Sequence, residues 1–114
     1  MKKFMAVYTG TASPEARAAM QADKARMQAG MEAWTKWMED HRTSFVDAGG
    51  PLGKTKRVDS SGIADTSNNI AAYVIVNAET HEDAARMFEG HPHFAIFPGD
   101  GVEIMECMPI PGAP

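Results

Sequence analysis

The chain contains a single cysteine, Cys107, and this scarcity excludes an internal disulfide framework. One thiol in 114 residues is typical of a reducing compartment, so we expect a cytoplasmic protein. Basic residues are too few and too scattered for a nucleic-acid partner, since 11 Lys and Arg stand against 15 Asp and Glu. The net charge is -4, and no basic face is apparent.

Long hydrophobic runs are absent too, and no stretch reaches the length that a membrane-spanning helix requires. The Met-Lys-Lys start is similar to that of a signal peptide, but the apolar residues behind it end at Gly10. No glycine loop has dinucleotide- or phosphate-binding spacing, and no serine stands in a nucleophile elbow. These absences predict a protein that is not bound to membranes and uses no cofactor.

Two segments carry helix signals. Ser13-Pro14-Glu15 combines an N-cap hydroxyl, a proline where no N–H is needed, and an acid in the first turn. Methionine and aromatic residues then recur at intervals of three, four or seven. This pattern predicts one long helix that runs to about Val46 and is ended by Gly49-Gly50-Pro51. A second helix is predicted to begin at Thr80 and to end at Gly90.

The strand-like segments alternate with these helices in the order strand, helix, strand, strand, helix, strand. That order predicts an α+β ferredoxin-like fold, with four antiparallel strands and both helices on one face of the sheet. The two most apolar strands lack the polar residues that are expected on a sheet face without helices. This lack predicts a homodimer, in which the sheet of a second copy packs on that face. The predicted strands are 4–8, 54–60, 70–76 and 102–108, in one domain over residues 1–110 with a proline-rich tail at 111–114.

Two of the four histidines stand one residue apart in Gly90-His91-Pro92-His93-Phe94, between the second helix and the last strand. A connection there can aim side chains into a cleft while the scaffold holds them still. Two interpretations of the pair stay open: acid–base chemistry near neutral pH, or capping of the preceding helix C-terminus by imidazole. A metal site is a weaker alternative, because no third ligand stands nearby in sequence, and we predict none.

Aromatic residues supply the walls of a predicted pocket for a small, largely apolar ligand. Trp34 and Trp37 lie three positions apart, on one side of the long helix. Tyr8 ends the first strand, Tyr73 lies in the third, and Phe94 follows the histidines. The competing interpretation is ordinary packing, for these residues and for the nine methionines.

Six segments carry a resemblance to a known family: the first strand, the long helix ending in Ala-Gly-Gly-Pro, the Ala-Tyr-Val-Ile-Val strand, the Glu-Asp-Ala-Ala helix, the His-Pro-His-Phe connection and the Val-Glu-Ile strand. Together they resemble the YCII-related family over nearly the whole chain. The resemblance implies a ferredoxin-like fold that closes into a dimeric α/β barrel. Some members carry a proposed His–Asp dyad, and one is similar to enzymes that remove chloride from hydroxylated aromatic rings.

The dyad of the family is altered in this chain. Its acid, which precedes a proline and an aromatic residue, falls on His91, and its helix histidine falls near Glu32. The resemblance implies that Glu32 orients the His91 imidazole, with His93 as a second polar contact, for cofactor-free lyase or dehydrochlorinase-like chemistry on a small phenolic substrate. Three alternatives stay open: Glu32 as a solvated helix residue, a non-catalytic dimeric ligand-binding module, and a cofactor-free oxygenase of the same architecture.

Overall fold

A computed structural model describes residues 1–112 of the chain, and the end of the predicted tail at 111–114 lies outside the described residues. The first strand is followed by two helices, then by four strands, two short helices and a last strand. The strands are β1 Lys2–Thr9, β2 Phe45–Pro51, β3 Thr55–Asp59, β4 Gly62–Thr66, β5 Ile70–Ala78 and β6 Gly101–Glu106. The helices are α1 Pro14–Ala22, α2 Lys24–His41, α3 His81–Arg86 and α4 Pro92–Ala95, with a 3-10 turn at Arg42–Ser44.

The main sheet has the strand order β2-β5-β1-β6, and each neighbouring pair is antiparallel. The two apolar strands β1 and β5 occupy its centre, as their lack of a polar face predicts. This order and the helices that pack on the sheet confirm the predicted α+β ferredoxin-like class. None of the helices in residues 1–112 is both long enough and apolar enough to cross a membrane.

The prediction of one long helix is wrong at two points. Asp23 interrupts it, because the Asp23 carboxylate accepts a hydrogen bond from the Arg26 backbone N–H at 3.0 Å and so caps the start of α2. The helix also ends at His41, before the predicted position. Phe45 begins β2, where it pairs with Val76 of the central strand, and this pairing overrides the helical spacing of the apolar residues.

The predicted strand at 54–60 forms as β3, but it does not belong to the main sheet, whose edge strands are β2 and β6. The glycine-rich segment that was expected to end a helix continues this edge strand as an irregular bulge. Gly49 has a φ of 67°, and a Cβ there would collide with the carbonyl of Tyr73, so glycine is required. Residues 55–66 form the separate β3–β4 hairpin, in which Lys56 and Asp65 form an ion pair of 2.6 Å.

The two faces of the main sheet meet different surroundings. On β1, Phe4, Ala6 and Tyr8 point to the helical face and are buried, whereas Met5 and Val7 point the other way and are half-buried. The core on the helical face also contains Trp37, Val74, Val76, Ala84 and Phe88. The opposite face, called here the uncovered face, carries cross-strand partners of Met5 and Val7, namely Tyr73, Ile75, Glu103 and Met105.

Candidate functional site

The histidine turn, residues 90–94, lies between α3 and β6, and two residues set its backbone. Gly90 has a φ of 66°, a left-handed conformation that glycine adopts without a Cβ clash. Pro92 is the first residue of α4, where no backbone N–H is needed. His91 stands between them as the N-cap, and its Nδ1 accepts a hydrogen bond of 3.0 Å from the His93 backbone N–H. The imidazole therefore caps the start of α4 and not the end of α3.

The His91 side chain is fully buried, at 0% exposure, among aromatic rings. The indoles of Trp34 and Trp37 each lie 4.6 Å from the imidazole, centroid to centroid, and the Tyr8 ring lies at 5.0 Å. Phe88 completes the enclosure at 6.1 Å. Three residues of the predicted pocket therefore meet at a predicted catalytic histidine, but their rings fill the space between α2 and the turn.

Hydrogen bonds determine the tautomer of His91. A backbone N–H only donates, so Nδ1 must be the unprotonated acceptor. The proton of the neutral ring then lies on Nε2, which donates to the Tyr8 hydroxyl at 3.2 Å. Burial, with smaller contributions from His93 and His41, lowers the pKa of His91 to about 4. Burial also raises the pKa of the Tyr8 phenol, so both partners are neutral near pH 7.

His93 keeps one ring nitrogen without a hydrogen bond in residues 1–112. Its ring stacks on Tyr8 at 5.2 Å, and its Nε2 donates to the Thr9 carbonyl at 2.8 Å. Gly99 packs against the Nε2–Cε1 edge of the ring, where a Cβ would collide with both atoms. His93 as a whole is buried, at 8% exposure. Among the ring nitrogens of His91 and His93, Nδ1 of His93 is the one that the described residues leave unbonded.

The structure does not bring Glu32 to His91. Two residues of helix turn through about 200°, so Glu32 lies nearly opposite Trp34, whose indole contacts His91. The Glu32 carboxylate is on the exposed side of α2 and accepts a hydrogen bond from Gln28 at 3.1 Å. Both ring nitrogens of His91 are already bonded, to Tyr8 and to His93. The expected orienting contact is absent here, and Tyr8 occupies the position beside Nε2.

Tyr73 and Phe94 lie apart from the histidine cluster, which is the group of rings around His91. Tyr73 pairs with Val7 on the uncovered face, and its hydroxyl donates to Asp47 at 3.2 Å. The negative charge of Asp47 raises the pKa of Tyr73. Phe94, at 40% exposure, points outward from the histidine turn and lines a groove on its other side.

This groove is open, has a volume of about 350 Å³, and lies between α3, the histidine turn and β6. Phe88 joins it to the histidine cluster, since the Phe88 ring also lies 6.2 Å from Tyr8. The part of the predicted pocket at Trp34 and Trp37 lies elsewhere, on the α2 side, where both indoles pack on His91 at 4.6 Å. Glu89 and Asp100 are the charged lining residues, and the apolar wall comes from Ala85, Phe88, Phe94, Val102 and Ile104.

Three contacts of this region were not predicted from the sequence. The Tyr8–His91 hydrogen bond joins residues 83 positions apart, which no local pattern reveals. The close approach of Gly99 to His93 accompanies a backbone hydrogen bond within the same connection, from the Gly99 N–H to the His93 carbonyl at 2.9 Å. His81 is exposed in the first turn of α3, and its Nε2 donates to the Ile104 carbonyl at 2.7 Å on the edge strand β6. In residues 1–112, no three His, Cys, Asp or Glu side chains group as metal ligands.

Fold and site together define a ferredoxin-like α+β protein with a buried histidine–tyrosine cluster beside an apolar groove. No protein-family model matches the chain, and no curated protein matches its sequence. Among solved structures, it is similar to 5-chloro-2-hydroxyhydroquinone dehydrochlorinase from Burkholderia phenoliruptrix AC1100, in complex with 2,5-dihydroxybenzoquinone. The TM-score is 0.55, the identity is 15%, and the match covers 93% of each chain. At this identity the likeness shows a shared fold alone.

Proposed function

We propose that this chain is a YCII-related, homodimeric protein that binds a small, largely apolar hydroxylated ring and promotes cofactor-free proton transfer, as a lyase of the dehydrochlorinase kind. One observation carries the proposal: a fully buried imidazole is hydrogen-bonded to a buried phenol inside an otherwise apolar core. Burying polar groups costs free energy even when they are paired, and an apolar side chain would pack there without that cost. The presence of the hydrogen-bonded His91–Tyr8 pair in this core, despite that cost, supports a functional role for it.

We propose that the hydroxylated ring binds in the groove. Phe88 and Phe94 supply aromatic walls, and Phe88 also packs on the histidine cluster. The structural neighbour is named for a chlorinated hydroxyhydroquinone and holds a dihydroxybenzoquinone, which agrees with a ring-shaped substrate. This step rests on analogy of fold.

His93 is the residue to which we assign proton transfer, because an imidazole can both donate and accept a proton and its Nδ1 has no hydrogen-bond partner in residues 1–112. His93 does not line the groove itself, but it directly precedes Phe94, which does, and its ring packs against Gly99, next to the lining residue Asp100. His91 is enclosed and neutral, so its proposed role is to position Tyr8 and the backbone of His93. These assignments exchange the roles that sequence reasoning expected for the two histidines.

A second copy completes the proposal. The uncovered face is apolar at its centre, where Met5, Ile75 and Met105 form one cross-strand row. Val7 and Tyr73 pair in the next row. Two such faces packed together would give the dimeric α/β barrel, and the single thiol supports a reducing compartment such as the cytoplasm.

Chloride release from 5-chloro-2-hydroxyhydroquinone tests the activity directly. We expect turnover by the unmodified chain and a loss of about a hundredfold or more in His93→Gln, since general acid–base groups contribute on this scale. Lys56→Gln is the control, because Lys56 pairs with Asp65 on the separate β3–β4 hairpin, and it should keep its activity. Equal turnover by all three proteins would remove His93 from the mechanism, and no turnover by any would refute the activity.

A non-catalytic ligand-binding module is the second candidate, and one observation favours it. Both nitrogens of His91 are engaged within the chain and the ring is enclosed, as in a purely structural cap. This candidate predicts that hydroquinone binds without turnover and that His93→Gln leaves its affinity unchanged. Isothermal titration of hydroquinone into the two proteins, beside the chloride assay, separates the candidates.

A further inference from the structure

We propose that the groove selects its ligand by charge: it accepts neutral or cationic aromatic rings that carry hydrogen-bond donors, and it disfavours anionic ones. This inference deepens the proposed function and rests on it, because it specifies the ligand of the same groove. The selecting residues are Glu89 and Asp100, neither of which was singled out from the sequence as a binding residue.

The apolar part of the groove fits one substituted ring. Its volume of about 350 Å³ lies at the small end of ligand pockets, and its walls are aliphatic and aromatic. Phe88 is buried at its base, whereas Phe94 is well exposed. A ring placed against Phe94 would therefore cover an exposed aromatic surface, which stabilises the bound state through burial and ring contacts.

Asp100 is held in place at the edge of this wall. Its backbone N–H donates to the Thr9 carbonyl at 2.9 Å, which ties the residue to the end of β1. Its Oδ2 accepts a hydrogen bond from the Thr11 hydroxyl at 2.8 Å, so the carboxylate is oriented while Oδ1 can accept from a ligand. A hydroxyl or ammonium group on the ligand could donate a hydrogen bond to this Oδ1.

The negative charges of the groove are not neutralised from within the chain. Neighbouring acids of α3, Glu82 and Asp83, both pair with Arg86, at 3.2 Å and 3.7 Å. Glu89 and Asp100 form no such ion pair in residues 1–112, and no Lys, Arg or His lines the groove. A ligand anion would meet two carboxylates without a compensating cation. A ligand cation would meet both carboxylates and the face of an aromatic ring.

The expected discrimination is moderate because the groove is open to water. Two carboxylates within about 6 Å of a ligand charge change its affinity about tenfold at the dielectric constant of water. The carboxylates strengthen the binding of a cation and weaken that of an anion, so the affinities of the two ligands should differ about a hundredfold at low salt. It should shrink in concentrated salt, which screens exposed charges.

Three probes that share a phenol ring test the inference: tyramine, phenol and 4-hydroxybenzoate, a cation, a neutral molecule and an anion at pH 7. Titration of the full chain followed by NMR should give affinities in that order, with shifts at Phe88 and Phe94. The double variant Glu89→Gln/Asp100→Asn should bring the three affinities within about threefold of one another. Asp65→Asn is the control, because Asp65 is an exposed acid on the separate β3–β4 hairpin, and it should keep the order.

Several outcomes would overturn the inference. Equal affinity of the unmodified chain for tyramine and 4-hydroxybenzoate does so, and so does an order that survives in the folded double variant. If the chlorinated hydroxyhydroquinone is turned over while no probe shifts Phe88 or Phe94, the charge selection fails and the proposed function stands. If neither turnover nor probe binding occurs, both fail.

Discussion

Tyr8 and Tyr73 sit on adjacent central strands of the same sheet and face opposite ways. Tyr8 lies under the helices, is 3% exposed, and has a neutral imidazole at its hydroxyl. Tyr73 lies on the uncovered face and donates its hydroxyl to a carboxylate. Both phenols have a raised pKa, but burial is the cause for Tyr8 and the charge of Asp47 is the leading cause for Tyr73. The face of the sheet, more than the residue type, decides the chemistry available to a side chain.

The largest expected contrast is between two adjacent residues of β1. Phe4→Ala removes a fully buried ring from the helical face and should lower the free energy of unfolding by about 3 to 5 kcal/mol. Met5→Ala acts on the half-buried opposite face and should cost about half as much or less in dilute protein, because less apolar surface is buried there. Urea unfolding monitored by circular dichroism measures both. Equal costs at every protein concentration would show that the two faces are equally buried within one chain.

A charge on the uncovered face should break the proposed homodimer. Ile75→Glu places a carboxylate in the apolar centre of that face and should weaken self-association by about a hundredfold or more, because a buried unpaired charge is costly. Val58→Glu is the control, since Val58 is 72% exposed on the separate hairpin. Sedimentation of the three proteins over a range of micromolar concentrations gives the result. A stable monomer for the unmodified chain would end the dimer proposal.

The helical face should make stability depend on pH through His91. The pKa of His91 is about 4 in the folded chain, whereas an ordinary histidine, as in the unfolded chain, has a pKa of 6.5. As the pH falls, the unfolded chain therefore takes up the proton before the folded chain does. The contribution of this group to stability is therefore complete well above pH 6.5 and is lost toward pH 4, by about 3 kcal/mol. His91→Gln should lack this part of the pH dependence and His81→Gln should keep it, in urea unfolding at a series of pH values. Identical profiles for all three proteins would contradict the enclosed imidazole.

Packing against His93 should show a smaller effect. Gly99→Ala places a Cβ into the His93 ring and against the His93 backbone carbonyl, and it should destabilise the fold by about 1 to 3 kcal/mol, because both have to move. Gly101→Ala is a close control, since nothing lies within 4 Å of a Cβ there. Thermal unfolding compares the two, and the His93 ring resonances should shift only in Gly99→Ala. A neutral Gly99→Ala would mean that the ring does not contact residue 99 in solution.

The smallest effect is expected on the solvent side of α2. Glu32→Gln should change stability by under about 0.5 kcal/mol and leave the ring nitrogen resonances of His91 unchanged, because Glu32 bonds Gln28 instead. The imidazole ¹⁵N spectrum is the measurement. A shift of the His91 nitrogens in this variant would show that the pairing expected from the sequence forms in solution.

Local signals predicted some elements well and others poorly. The apolar runs located β1 and β5, and Thr80 begins α3 by accepting a hydrogen bond from the Asp83 backbone at 3.0 Å. Such signals depend on neighbours in sequence. The position of β2 depends instead on its pairing with β5. The Gly-Gly-Pro residues at its end also match the pattern that ends a helix, so the sequence alone indicated a helix there. The break at Asp23 had a local signal, an N-cap residue, but the apolar spacing ran through it.

By itself, the sequence determined the α+β class, the central strands and the presence of two histidines in a turn, because hydrophobic periodicity and backbone capping act over a few residues. Only the tertiary structure decided what those histidines touch. Tyr8 and His91 are 83 positions apart, and their hydrogen bond exists because β1 and the histidine turn meet under α2. Burial then made the imidazole neutral, and the helical turn that aimed Trp34 at it aimed Glu32 at solvent.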